Sequence, residues 1–180
     1  MIKTPYFTQL QASHQYQGKT NNCGPYCAAI TARTLGFNDA DGLKFTNSLS
    51  TFRWKGIMPI FQRVPHSATM PWGTAYLLQL LKLNTQWKPF ATEMDLLSKL
   101  QDNVVQIVII GEWQPVWAHY MILAAYDAVK GFGFIDPAFK DSKIHWYKSL
   151  EFSKLWRHYG RNLIRVFPAD QSFRTKETGQ

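Results

Sequence analysis

The segment from Asn22 to Leu35 constrains this chain most, because it carries the signals for both ends of one helix. Asn22 can cap the start, Pro25 falls in the first turn where a missing N–H is harmless, and Gly36 follows the last turn. A helix here sets Cys23 at its N-terminus. Later in the chain, Val104–Ile110 is β-branched and apolar like a buried strand, and Tyr120–Tyr126 and Phe132–Ile135 read as two more, joined by a turn around Asp127 to Gly131.

Between these landmarks, Thr74–Leu83 carries a helical apolar face, and Thr92 with Asp95 forms a capping-box pattern opening a helix over Thr92–Gln101. Ser149–Tyr159 is expected to be a short helix and Leu163–Phe167 a last strand. Asn38–Trp72, broken by Pro59, Pro65 and Pro71, shows no sustained period and reads as a long irregular insertion. Helices first and a meandering antiparallel sheet afterwards is the α+β pattern, with the helix bearing Cys23 laid against the sheet. One domain over residues 1–170 is expected, with a polar, frayed tail over 171–180.

At 180 residues with 46% hydrophobic content the chain can bury its own core. Twenty Lys and Arg against 12 Asp and Glu leave a net charge of +8, which favours anionic partners such as acidic peptides. The basic residues are spread from Lys3 to Lys176, so they read as a solvated surface and not as a nucleic-acid-binding arm. The first ten residues lack the apolar stretch of a secretory signal and no run approaches the roughly 20 apolar residues of a membrane span, so a cytoplasmic protein is expected.

Cys23 and Cys27 are the only cysteines. A thiol attacks as thiolate, and a helix N-terminus and a neighbouring imidazolium both favour that form. Of the five histidines, His14, His66, His119, His145 and His158, His119 is the best placed: it immediately precedes the Tyr120–Tyr126 strand and faces Asp136 across a hairpin. Their residue numbers add to an odd total. A hairpin loop of two residues at Asp127 and Ala128 sets them directly opposite, and one of four residues, Asp127 to Lys130, makes them diagonal neighbours on the same face. In either register the carboxylate can hold one ring nitrogen and leave the other for the thiol. Gln17, six residues before Cys23, can supply an amide donor to an oxyanion, with the Cys23 backbone N–H as the second donor.

The stretch Gln17-Gly-Lys-Thr-Asn-Asn-Cys23-Gly24-Pro25, with His119 and then Asp136-Pro137-Ala138, resembles the bacteriocin-processing leader peptidases and their stand-alone relatives, which belong to the papain-like cysteine peptidases. The resemblance implies a papain-like fold and gives Cys23 the role of nucleophile, His119 that of base, Asp136 that of orienting residue, and Gln17 a place in the oxyanion hole. Pro71-Trp72-Gly73 and Glu151-Phe152 to Trp156 are similar to pieces of the stand-alone branch. Within these 180 residues neither a membrane segment nor a nucleotide-binding module like those of the transporter-fused members is expected.

Other readings stay open beside this one. The same thioester chemistry serves an acyl transferase, a transglutaminase-like enzyme or a deamidase, because the acceptor is chosen by groove shape. A non-catalytic peptide-binding module is a third class, marked as a rule by loss of the Cys or the His. Cys27 reads as core, since no second ligand cluster accompanies it as a metal pair. His14 reads as an exposed loop histidine, and His145 and His158 as parts of an aromatic surface with Trp146, Tyr147, Trp156 and Tyr159. No metal or organic cofactor is needed for the expected reaction, and a peptide or protein is the expected substrate.

Overall fold

The computed structural model describes residues 1–64 and 67–169. His66 and the tail expected over 171–180 lie outside the described residues. The organising element is a seven-stranded antiparallel sheet whose strands run β4 (Asn84–Lys88), β9 (Leu163–Phe167), β5 (Val105–Trp113), β6 (Val116–Asp127), β7 (Gly131–Ile135) and β8 (His145–Tyr147). The short β1 (Ile2–Lys3) pairs with the far end of β6.

Strand alternation explains why this sheet is covered on both faces. Along β5, Val105, Ile107 and Ile109 join one apolar cluster, while Val108 and Ile110 join the other. Tyr120, Ile122 and Ala124 of β6 divide from Met121 and Leu123 in the same way. The first cluster is closed by α1 (Phe7–Ala12), α2 (Cys23–Thr34) and α4 (Pro71–Leu80) through Leu10, Ile30, Leu77 and Leu78. The second is closed by α5 (Glu93–Leu97) and α6 (Ser149–His158), with Phe132, Phe134 and Phe152 in ring contact at 4.6 and 5.2 Å.

Ten of the twelve residues of α2 are buried. Such a helix is held by packing around its whole circumference and not along one stripe. Small residues let its neighbours close in. A β-carbon at Gly24 would lie 2.8 Å from Thr74 Oγ1 and 3.1 Å from Thr69 Cβ, so α4 and the strand segment before it press on the first turn of α2.

The α+β class and the antiparallel sheet are as expected, and several local expectations change. The supposedly irregular Asn38–Trp72 stretch holds α3 (Gly42–Ser48), capped by Asp41 accepting from Lys44 N at 2.9 Å. It also holds a two-stranded hairpin of β2 (Phe52–Lys55) and β3 (Met58–Phe61), and it ends at Pro71, where α4 begins. The sheet does not wait for the helices to finish: β1 and β4 enter it from before and between them. The capping box forms as read, with Thr92 accepting from Asp95 N and Asp95 from Thr92 N, but α5 ends after five residues at Leu97. No helix among the described residues is long and apolar enough to cross a membrane.

Candidate active site

Cys23 opens α2 at 8% exposure. Asn22 does not cap the helix as expected: it sits at φ −104° and ψ 22° with no side-chain cap bond, and its Oδ1 accepts instead from Arg63 Nη2 at 2.8 Å. A helix start without a side-chain cap keeps its first N–H groups available, and Pro25 has none to offer. The nucleophile candidate therefore stands where backbone donors face outward from the helix end.

His119 lies within β6 and not before the strand as expected, because β6 begins at Val116. Pairing with β7 runs from Asp127↔Gly131 to Ala125↔Gly133 with paired numbers adding to an even total, then shifts at a bulge between Leu123 and Ala125 to Leu123↔Phe134 and Ile122↔Ile135, an odd total. The loop is thus neither of the two expected lengths, and the bulge supplies the missing residue of offset. Carried one residue further, the register sets Asp136 opposite Met121, diagonal to His119 on the same face. His119 Nε2 meets Asp136 Oδ1 at 2.6 Å.

Asp136 is 2% exposed, so its oxygens must be satisfied by protein. Oδ1 also accepts the Ala138 N–H at 2.8 Å, so one oxygen both holds the imidazole and closes an Asx turn over Pro137. Burial alone would lower the His119 pKa, but its hydrogen bonds to Asp136 and to the Cys23 thiol, with the charges of both, outweigh burial and raise it to about 10. With Nε2 on the carboxylate, Nδ1 is the ring atom left for the thiol. The fold thus brings Cys23, His119 and Asp136 into one chain of contacts.

Gln17 joins them through the backbone, its N–H donating to Pro137 O at 2.9 Å. Its side-chain amide donates to Thr20 O at 3.0 Å, and Thr20 Oγ1 returns a bond to Gln17 O at 2.8 Å, which closes the loop before α2. An amide nitrogen has two hydrogens, so one remains for another acceptor. His14 is half-buried and not an exposed loop residue: its Nε2 lies 3.2 Å from Asp136 O, so residues 14 to 17 run beside 136 and 137. The sequence signal for this was its three-residue distance from Gln17.

Cys27 is fully buried one turn along α2, and burial, then the charges of Cys23 and Asp136, push its thiol well above the ordinary range. It is a core residue. His145 stacks on Phe139 at 3.7 Å, and His158 Nδ1 lies 3.3 Å from Gly111 O beside the stacked pair Trp113 and Tyr159. Among the described residues no three His, Cys, Asp or Glu side chains gather as a metal site.

No family model matches the sequence, and no curated protein does so either. Solved structures do match in shape. A chain from Bacillus anthracis described as a C39-like peptidase superposes with a TM-score of 0.64 at 12% identity, over 85% of this chain and 92% of that one. The fold is that of the C39 peptidase domains. The peptidase domain of Streptococcus ComA, a bifunctional ABC transporter of a quorum-sensing pathway, agrees at a TM-score of 0.60 and 18% identity, over 86% of this chain and 96% of that domain. The C39-like core here is papain-like, with the helix carrying Cys23 packed on an antiparallel sheet. Near-complete coverage of both domains means that the helix and sheet layers, and not a fragment of them, are shared.

Proposed function

We propose that this chain is a cysteine peptidase that cleaves a peptide bond through a Cys23 thioester, in the manner of leader-processing peptidases. The observation that carries the reading is His119 bonded through Nε2 to Asp136 at 2.6 Å, with Cys23 at the start of α2 near enough to the ring to help raise its pKa. An imidazolium held near a thiol at an uncapped helix start stabilises the thiolate by charge and by dipole. The C39-like fold supports a peptide as substrate, since both structural neighbours are described as peptidases.

The thiolate attacks the carbonyl carbon, and the charge that develops on oxygen is held by the Cys23 N–H and the spare amide hydrogen of Gln17. His119 protonates the departing amine, leaving an acyl enzyme, and then takes a proton from water as it attacks the thioester. Asp136 keeps the ring in one orientation throughout. The test is to incubate the protein and its Cys23→Ala variant with a library of peptides and to read new termini by mass spectrometry. Cuts made only by the wild type support the reading, and release of ammonia or transfer to added amines without new termini would replace it with the deamidase or acyl-transferase alternative.

A further inference from the structure

Beside the start of α2 a cleft of ≈ 520 Å³ opens between the loop Lys19 to Asn22, the Leu43, Thr46 and Asn47 side of α3, and Arg63. Its size falls within the roughly 300–1,000 Å³ of small-ligand sites. Among the described residues its lining holds two cations, Lys19 and Arg63, and neither Asp nor Glu. Arg63 is half-buried, and its guanidinium donates to Thr46 O and to Asn22 Oδ1, each at 2.8 Å. Both acceptors are neutral. No ion pair among the described residues includes Arg63 or Lys19.

A guanidinium has five N–H donors in a rigid fork, so three remain after these two bonds. Packing has already fixed the head, so a carboxylate that meets it loses little further side-chain freedom. A cation held half out of water without a counter-charge gains most from an anionic ligand. Position then says which anion. Asn22, which grips Arg63, directly precedes Cys23, and an extended peptide advances about 3.3 Å per residue, so the cleft lies within about three residues of a bond under attack.

We infer that this cleft is a subsite for an acidic side chain of the substrate, at a fixed position within about three residues of the cut, held by Arg63 and assisted by Lys19. The inference rests on Cys23 being the nucleophile, as proposed above.

The test separates binding from turnover. A Cys23→Ser chain is titrated with fluorescein-labelled decapeptides of mixed Gly, Ala and Ser carrying one central Glu, and with the same mixture carrying Gln. The expected result is about tenfold tighter binding of the Glu mixture, with the ratio falling to near one in Arg63→Gln and partly restored in Arg63→Lys. If Arg63→Gln fails to fold, Lys19→Glu at the exposed rim must lower the ratio instead. Equal binding of the two mixtures, or a ratio that survives both substitutions, overturns the subsite. In the peptide-library digestion, cuts without an acidic preference also overturn the subsite while keeping the peptidase. A Glu preference in binding without Cys23-dependent cuts keeps Arg63 as a site for an acidic side chain but overturns the peptidase, and with it the position of that site relative to a cut.

Discussion

A single oxygen of Asp136 serves His119 at 2.6 Å and the Ala138 N–H at 2.8 Å, so the residue that orients the ring also closes the turn after β7. Asparagine can accept both bonds through its own oxygen but brings no charge. Asp136→Asn should therefore keep turnover within about tenfold of wild type, while Asp136→Ala should lose on the order of 100-fold and melt earlier. The measurement is kcat per folded molecule beside Tm. An alanine variant that melts early yet turns over normally would reduce Asp136 to a turn residue.

The His119 pKa gives a stability window. A folded value of about 10 lies above the ordinary ~6.5, so the contribution of the ring is complete below that lower value, shrinks as pH rises and is gone above about 10. The gap in melting temperature between wild type and His119→Gln should be widest in mild acid and close toward pH 10. A gap that widens with alkalinity would reverse the assigned charge of the ring.

The two thiols should separate cleanly in labelling. Cys23 stands at the helix start beside His119, whereas Cys27 is sealed in the core with its thiol held well above its ordinary range. Brief iodoacetamide treatment at neutral pH should modify Cys23 and spare Cys27, read by peptide mass spectrometry. Equal labelling of both would count against an activated nucleophile.

Gln17 is tied to Pro137 by its backbone and to Thr20 by its side chain, so replacement by alanine removes an amide donor without releasing the backbone anchor. Loss of one oxyanion donor costs roughly 100-fold to 1,000-fold in rate, chiefly in kcat. Unchanged kcat in Gln17→Ala would take the residue out of the oxyanion hole.

Away from the site, Thr92 and Asp95 satisfy each other's backbone at the start of α5. Thr92→Ala should cost about 1 kcal/mol in chemical denaturation with no change in kcat. A loss in turnover per folded molecule would mean that α5 reaches the site.

Where the sequence was legible, local and global preferences agreed. The helix opened by Cys23 has Pro25 near its start and Gly36 past its end, and β5, β7 and β9 are apolar runs buried on both faces. Elements decided by partners were not legible. β4 is an edge strand of Asn-Thr-Gln-Trp-Lys, mostly exposed, whose extended form comes from pairing with β9. In β2 and β3 the exposed Phe52, Trp54 and Met58 leave no buried side to produce a readable alternation. At the site, the odd total of His119 and Asp136 held, but it is delivered by the bulge near Ala124, which no residue in β6 announces. Asn22 was assigned a cap because its residue type suits one, and Arg63, 41 positions away, claimed its oxygen.

The bulge near Ala124 also sets rules for insertions and deletions. One residue added to or removed from the β6–β7 hairpin, with the bulge kept, turns the carboxylate to the opposite face from His119, whereas two residues restore the facing at the cost of a shifted pairing. Chains that share this arrangement should therefore vary their His-to-Asp separation in steps of two, and an odd step should mark one that has gained or lost a bulge. Separation between two residues, read alone, then becomes a record of strand irregularity in sequences too distant to align.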